Sequence, residues 1–468
     1  MFAALPPSIH DLGALFEQAG AELALVGGPV RDALLGRSSD DLDFTTSAHP
    51  EETERILRAW VGGGAIWDMG RAFGTLGAQK DGVKVEITTY RTEEYDADSR
   101  KPTVTFGTAI EGDLSRRDFT VNAMAVRLPS LDFVDPFGGL YDLATGVLRT
   151  PVAPEQSFSD DPLRMLRAVR FVSQLGFSIE AETAQAIRAL AGRLEIVSAE
   201  RVREELVKLI VGAHPRAALE QMVELGLAAI VLPELPAMQL EIDEHHRHKD
   251  VYTHSLTVLD QAIDLETGAD GPVPGPDFIL RFAALMHDVG KPDTRAYEPG
   301  GVVTFRFHEV VGARMTAKRM KALKFDKDTT KAVARLVELH LRFHGYADAE
   351  WSDSAVRRYV SDAGPLLQRL HRLTRADCTT RNKRKAAMLR GAYDDLERRI
   401  AEVEAREEIG KIRPDLDGRA IMELLGLEPG PLVGEAYSYL LELRMEEGPL
   451  GREAATERLL QWWQARNG

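Results

Sequence analysis

Thiol chemistry is nearly missing from this chain: one cysteine, Cys378, stands among 468 residues. A single thiol excludes an internal disulfide and fits a reducing compartment. No apolar run approaches the roughly 20 residues that a membrane span needs. The first residues, MFAALPPSIHDLG, lack a basic segment followed by an apolar one and do not read as a secretion signal. The expected location is therefore cytoplasmic. Positive charge is scarce as well: 58 Lys and Arg stand against 73 Asp and Glu, a net charge of −15. Such a chain is not coated by nucleic acid, and any polyanion must be held at a local basic patch. Short-period repeats and low-complexity tracts are missing too. What is present is ordinary for globular protein, with 44% hydrophobic and 28% charged residues. The length predicts more than one domain.

The stretch Leu23 to Thr46, LALVGGPVRDALLGRSSDDLDFTT, organises the rest. Leu23 to Val26 predicts a short strand that stops at Gly27-Gly28, and Pro29 suits the first turn of a helix. Asp41-Leu42-Asp43-Phe44 alternates polar and apolar residues. That predicts a strand with Asp41 and Asp43 on one face and Leu42 and Phe44 toward a core. Mg²⁺ takes oxygen ligands and is usually shared between one or two carboxylates and substrate phosphates. Gly27 and Gly28 let backbone N–H groups approach a triphosphate, the helix start favours anions, and Arg31 lies one turn on. A lone D-x-D is equally well a turn with two solvated acids. G-G-x-V-R-D followed by D-x-D is more specific. It resembles the signature of the nucleotidyltransferase superfamily, in the branch holding bacterial CCA-adding enzymes and poly(A) polymerases.

Further segments carry the same resemblance. Residues 8 to 20 and 50 to 60 predict helices, and 75 to 79 and 83 to 89 predict strands. Glu86, in V-E-I-T-T-Y-R, is either an exposed strand residue or, as the resemblance implies, a third carboxylate. Arg91 to Pro102 is aperiodic and polar and predicts a loop over the site. Arg116 and Arg117 precede an expected helix, where guanidinium forks match phosphate oxygens. RRDFTVNA resembles the second family motif, which implies nucleotide binding by Arg116, Arg117 and Asn122. Asp135 to Gly139 is turn chemistry; it resembles a third motif with a structural role. Residues 159 to 171, SDDPLRMLRAVRF, predict a helix capped by Ser159 with an early proline.

By spacing alone, Asp161 and Arg164 form a surface ion pair. The segment resembles the family motif E-D-P-L-R-x-L-R-x-x-R-F, with Asp160 in place of the usual glutamate. That implies a helix that pairs with the incoming base. Cytosine and adenine each offer an amino donor beside a ring-nitrogen acceptor, matching an Asp acceptor beside an Arg donor. Guanine and uracil present the reverse, at a cost of about 1–3 kcal/mol per mispaired contact. Arg167 and Arg170 would orient that contact or hold the triphosphate. Residues 181 to 232 predict helices, of which 200 to 210 resembles a family stretch that closes the nucleotide pocket.

From Glu244 onward histidine becomes frequent. Adjacent His287-Asp288, before Val289-Gly290-Lys291, resembles the HD-domain signature. The resemblance implies that His254, His287, Asp288 and Asp377 gather one divalent metal. Imidazole with carboxylate suits Mn²⁺, Fe²⁺, Ni²⁺ or Zn²⁺, and water bound there would attack a phosphate ester. His308, His340 and His344 are candidates for a second metal or for phosphate, although each taken alone is equally a satisfied or exposed side chain. Arg369, Arg372, Arg375, Arg381 and Lys383 form the main basic patch, either a solvated face or an RNA contact.

The expected fold class is α+β. A mixed-sheet nucleotidyltransferase head (1–150) precedes a helical neck (151–240), an HD metal-binding domain (241–390) and a helical tail (391–468). The implied function is template-independent addition of CCA to tRNA 3′ ends from CTP and ATP. Mg²⁺ would be held at Asp41 and Asp43, in a monomer or homodimer with no membrane association. Within the class, the alternatives are a poly(A) polymerase or an enzyme adding only CC or only A. Outside it, they are a phosphohydrolase led by the HD region and a non-catalytic RNA-binding scaffold.

Overall fold

Four consecutive apolar residues, Leu23–Val26, are buried on both faces and form β1, the strand around which the first half of the chain is built. The computed structural model describes residues 5–37, 41–68, 74–94, 103–107, 109–239, 250–299, 302–343, 346, 351–380, 382–407 and 412–467. It divides into two units, Met1–Pro233 and Glu234–Gly468.

In the first unit, α1 (Pro7–Gln18) precedes β1, and α2 (Gly28–Leu34) follows it. Then come β2 (Asp41–Thr46), α3 (Pro50–Val61), β3 (Ile66–Asp68), β4 (Thr75–Lys80) and β5 (Val83–Thr89). After the hairpin β6 (Arg91–Glu94) and β7 (Thr103–Phe106) come α4 (Ile110–Ser115), β8 (Ala125–Leu128) and β9 (Phe133–Val134). Seven strands form one mixed sheet in the order β3-β4-β5-β2-β1-β8-β9. Only the β2–β5 pairing is parallel, and its register sets Asp41 against Lys84 and Asp43 against Glu86. Leu42 and Phe44 are buried as their alternation predicts. The helix α3 buries Thr53, Ile56, Leu57 and Trp60 at helical spacing, and the Trp60 indole donates to the Ser8 carbonyl at 2.7 Å.

Helices make up most of the remainder. After α5 (Gly139–Thr145) and β10 (Val147–Leu148) come α6 (Pro154–Asp160), α7 (Leu163–Leu175) and β11 (Ser178–Ile179). They are followed by α8 (Ala181–Leu190), α9 (Ala199–Ile210), α10 (Pro215–Glu224) and α11 (Ala228–Val231). The second unit runs through α12 (Glu234–Ala237), α13 (Val251–Asp264), α14 (Phe278–Met286) and α15 (Lys291–Thr294). It continues with the hairpin β12 (Arg295–Glu298) and β13 (Val302–Phe305), then α16 (His308–Ala322), α17 (Lys327–Leu339), α18 (Asp353–Ala363), α19 (Leu367–Ala376) and α20 (Lys383–Glu407). Three helices close it: α21 (Gly418–Leu425), α22 (Pro431–Glu447) and α23 (Arg452–Asn467). The α+β class is thus correct. No described helix is long and apolar enough to cross a membrane.

Three local expectations need correction. Arg91–Glu94 is no loop but pairs antiparallel with Thr103–Phe106, because the β-branched run Thr-Val-Thr supplies a partner strand; residues 95–102 lie outside the described residues. Arg116 and Arg117 follow a helix rather than precede one, since Arg116 ends α4 and only a short 3₁₀ turn, Thr120–Asn122, comes next. Ser159 is no helix cap. It lies inside α6, and the chain breaks at Asp161, which is extended because a residue before proline is pushed out of the helical region.

Candidate active site and metal centre

The head site begins at the β1–α2 turn. Gly27 has φ +76, and a Cβ there would lie 2.8 Å from Arg117 Nη1. Only glycine combines that backbone with so close a guanidinium. Exposed Asp43 on β2 stands in register with Glu86, whose Oε1 accepts from Lys84 Nζ at 2.9 Å. Asp41 is two positions earlier on the same strand. Arg117 is the cation of this corner. Burial lowers its pKa from the usual arginine value against the pull of Asp113, Asp118 and Asp43. Its Nε is buried without a hydrogen-bond partner. Arg116 pairs with the buried Asp113 at 2.7 Å. Arg31 donates to Asn122 Oδ1 at 2.7 Å and to Asp32 at 2.9 Å. A half-buried cation whose Nε is an idle, enclosed donor, beside a glycine turn, fits a polyphosphate. Carboxylates opposite one another on paired strands fit a hard divalent cation.

The residues read as base-selecting have separate partners. Asp161 accepts from the Leu163 backbone at 3.2 Å and pairs with Arg201 at 2.9 Å. Arg164 is buried and donates to Ser157 Oγ at 2.8 Å and to the Arg116 carbonyl. Arg167 binds Asp118 Oδ2 at 2.5 Å, and Arg170 binds Glu205 Oε2 at 2.5 Å. Three guanidiniums surround the Phe171 ring, with Arg170 at 4.0 Å, Arg31 at 5.2 Å and Arg167 at 5.8 Å from its centroid.

Sequence reading passed over Asp113, Asp118, Glu205 and Phe171, which hold these arginines. The missed signal was the excess of arginine over acid in two motifs whose positions are largely buried. Burial alone would raise the Asp118 pKa; Arg167, Asn122 and Arg164 outweigh it and hold the carboxyl well below the usual range. Its contribution to stability is then present above the unfolded carboxylate value of about 3.9 and lost as pH falls below it. Asp118→Asn should cost on the order of 2 kcal/mol at neutral pH, because half-exposed Arg167 loses its nearest partner and keeps only Glu205 at 3.8 Å. The variant should also flatten the acid limb of the stability curve. A thermal melt at pH 7 within about a degree of the parent would contradict this.

In the second unit four imidazoles converge. Asp250 caps α13, accepting from Thr253 N at 3.0 Å, and so fixes the turn that carries His254. His287 ends α14, and α16 reaches the same place because Gly290 has no side chain: a Cβ there would lie 2.2 Å from the His308 carbonyl. His287, His308 and His340 each donate Nδ1–H to the carbonyl three residues back, at 2.8, 2.7 and 2.6 Å. His254 Nδ1 meets Thr379 Oγ1 at 3.2 Å. All four therefore turn Nε2 inward, the arrangement that orients metal-binding histidines.

His254 Nε2 lies 2.9 Å from Asp377 Oδ1, and His287 Nε2 lies 3.2 Å from Asp288 Oδ2. The other oxygen of Asp288 meets His308 Nε2 at 3.2 Å and His340 Nε2 at 3.8 Å. Burial would lower the His287 pKa, but Asp288 and Asp377 outweigh it and push it up to about 10. Burial and the nearby His287 charge push His340 down to about 3. Two groups have metal-ligand spacing: His254, His287 and Asp377, and Asp288, His308 and His340. The Nε2 atom of His340 is buried without a hydrogen-bond partner, and that of His308 has Asp288 alone, which fits ligands that await a cation. The expected fourfold set is thus brought together and extended, with Asp288 facing both groups. His344 lies outside the described residues, as do His245, His246 and His248.

The expected basic patch is largely engaged within the chain. Arg369 pairs with Asp277 at 2.7 Å, Arg372 donates to the Leu265 carbonyl at 3.1 Å, and Arg375 binds Asp394 at 2.8 Å and Glu397 at 2.9 Å. These arginines tie α19 to its neighbours, so the patch expected as a solvated face or an RNA contact spends most of its charge within the chain. Lys383 is exposed at the start of α20, and Arg381 lies outside the described residues.

Known families and structures match the whole length. Residues 23–149 match the poly A polymerase head domain, 176–238 the probable RNA and SrmB-binding site of polymerase A, and 251–382 the HD domain. The A-adding tRNA nucleotidyltransferase of Deinococcus radiodurans is 36% identical over 450 residues, which is 94% of this chain and 95% of that protein. The CCA-adding enzyme of Lactobacillus delbrueckii subsp. bulgaricus is 36% identical over 311 residues, 66% of this chain and 72% of that one. Among solved structures, the Bacillus stearothermophilus CCA-adding enzyme in complex with CTP superposes with a TM-score of 0.70 at 24% identity, covering 99% of both chains. The Thermotoga maritima CCA-adding enzyme complexed with tRNA superposes with a TM-score of 0.61 at 20% identity, over 98% of this chain and 96% of that one. With a head of the poly(A) polymerase type, an HD domain and a relative matched from end to end, the chain belongs to the family of the A-adding and CCA-adding tRNA nucleotidyltransferases.

Proposed function

We propose that this enzyme adds CCA to tRNA 3′ ends from CTP and ATP without a template, in the cytoplasm and as a monomer or homodimer. The observation that carries the reading is the head corner itself. Asp43 and Glu86 stand in register on parallel strands, and Asp43 lies in the electrostatic range of a half-buried Arg117 with an idle Nε beside Gly27. Asp41 and Asp43 would hold Mg²⁺, with Glu86 beside them. Bound there, Mg²⁺ would acidify the attacking 3′-hydroxyl and neutralise charge on the phosphates. Gly27, Gly28, Arg31, Arg116 and Arg117 would cradle the triphosphate, with Asn122 steadying Arg31. Asp161 and Arg164 would choose the base, each exchanging a present partner for cytosine or adenine. Arg167 and Arg170 act one step back, orienting that helix through Asp118 and Glu205. The work divides among head (1–150), neck (151–240), HD domain (241–390) and tail (391–468).

A second reading, addition of the terminal A alone, is favoured by the end-to-end match to an A-adding relative. Sequencing the products separates the two. The substrates are tRNA ending before the tail, after one C and after both. CTP and ATP are supplied singly and together. A full CCA tail supports the first reading, extension only of the CC-ended tRNA supports the second, and long A tails on any RNA refute both. In the same assay Arg164→Ala should relax base choice by about tenfold or more rather than abolish transfer, since one base contact is worth about 1–3 kcal/mol. Unchanged preference for C and A over G and U would remove Arg164 from that role.

A further inference from the structure

The −15 chain needs a local cationic surface to hold a polyanion, and α19 does not offer one. The helices α16 and α17 do. Residues 308 to 339 carry eight Lys and Arg against four Asp and Glu, opposite in sign to the chain as a whole. Between the two helices lies an open trough of about 1020 Å³. Its floor is aliphatic, built from Val310, Ala313, Ala317 and Ala334. Its one acid, Glu338, is paired with Arg335 at 2.6 Å, and the other charged lining residues are Arg314 and Lys321 from α16 and Lys327 and Lys331 from α17. All four cations are exposed, and none has an ion-pair partner among the described residues. Cations of one sign along a low-dielectric wall focus the field into the cleft. Long cationic side chains can lay their aliphatic stems on such a floor and keep the charged end in water.

We propose that this trough is a docking surface for duplex RNA backbone, used to hold the helical part of the tRNA substrate. The inference rests on the reading of the chain as a tRNA enzyme. Duplex rather than single strand follows from the floor, which offers no open aromatic face for base stacking. The one ring at the trough, Phe325, is stacked against Phe278 at 5.4 Å between centroids. Contacts through phosphates alone carry no sequence information, as suits a site that must accept every tRNA.

The test compares tRNA binding by the full-length protein and by the triple variant Lys321→Glu, Lys327→Glu, Lys331→Glu. Filter binding at several salt concentrations gives Kd and its salt slope without requiring catalysis. The variant should bind about tenfold or more weakly at about 0.1 M salt, and its slope should fall by about 2 to 3, near one per lost phosphate contact. A control with the same charge change, Arg55→Glu, Arg58→Glu, Arg306→Glu, uses exposed arginines that do not line the trough and should bind nearly as the parent does. Thermal melts confirm that all three proteins are folded. If trough and control variants weaken binding equally, the effect is global charge and the proposal falls. If the parent extends tRNA while the trough variant keeps its Kd and slope, the trough is wrong and the function stands. If the parent neither binds nor extends tRNA, the function fails and takes the trough with it. Trough-dependent binding of a synthetic, glutamate-rich amphipathic peptide, with tRNA affinity unchanged, would assign the surface to a protein partner and overturn the proposal.

Discussion

Asp43→Ala is expected to lower nucleotide incorporation by about a thousandfold, the consequence of losing several kcal/mol of transition-state stabilisation by a held metal ion. The side chain is exposed on β2, packs no core, and stands opposite Glu86 within the electrostatic field of Arg117. Its removal should therefore leave the fold and the thermal midpoint almost unchanged. It removes one of the oxygens that the proposed Mg²⁺ would take, and Glu86, already paired with Lys84, is a poor replacement. The defect should appear in kcat, with tRNA binding kept, since the residue is far too weak an RNA contact to matter there. Incorporation of labelled CTP at the parent rate would end the assignment. Metal content and phosphate-ester hydrolysis in the HD domain should not respond, which separates the two centres.

The second large effect is expected at Asp288. Its two oxygens face different partners: Oδ2 meets His287, His254 and Lys291, and Oδ1 meets His308 and His340. Asp288→Asn keeps the size of the side chain and removes its charge. Protein reconstituted with Mn²⁺ or Ni²⁺ should then lose its bound divalent ion in elemental analysis. Any hydrolysis of 2′,3′-cyclic phosphate or a phosphomonoester should fall about a hundredfold or more, as mutations that disturb metal binding do. His340→Ala should reduce the metal content while the group of His254, His287 and Asp377 remains. Equal metal content in the parent and in Asp288→Asn would show that the cluster is a buried ion-pair network and no metal centre. CTP incorporation by Asp288→Asn should stay within a few fold of the parent.

Much of this architecture was legible before the structure. Period-2 alternation over Asp41–Phe44 and Val83–Ile87 and the proline-led helix α3 are local, and local rules hold where tertiary contacts agree with them. The failures were local as well. Arg91–Glu94 has no apolar period of its own and becomes a strand only because Thr103–Phe106 lies beside it. The α6–α7 break at Asp161 was hidden because a proline early in a helix and a proline just after a break read alike.

The sequence by itself determined which chemistry is available: paired acids near a glycine turn, arginines in two motifs, and histidines with an adjacent aspartate. Tertiary structure decided which of those groups meet. The parallel register of β2 and β5 put Glu86 beside Asp43, and packing brought His254 to Asp377 across 123 positions. It also gave Arg369 and Arg375 of α19 to internal acids and left Arg314, Lys321, Lys327 and Lys331 of the trough without ion-pair partners among the described residues. The reason is physical. Side-chain periodicity and capping are short-range and can be read along the chain, whereas a charge's partner depends on distance and burial, which exist only once the elements have packed.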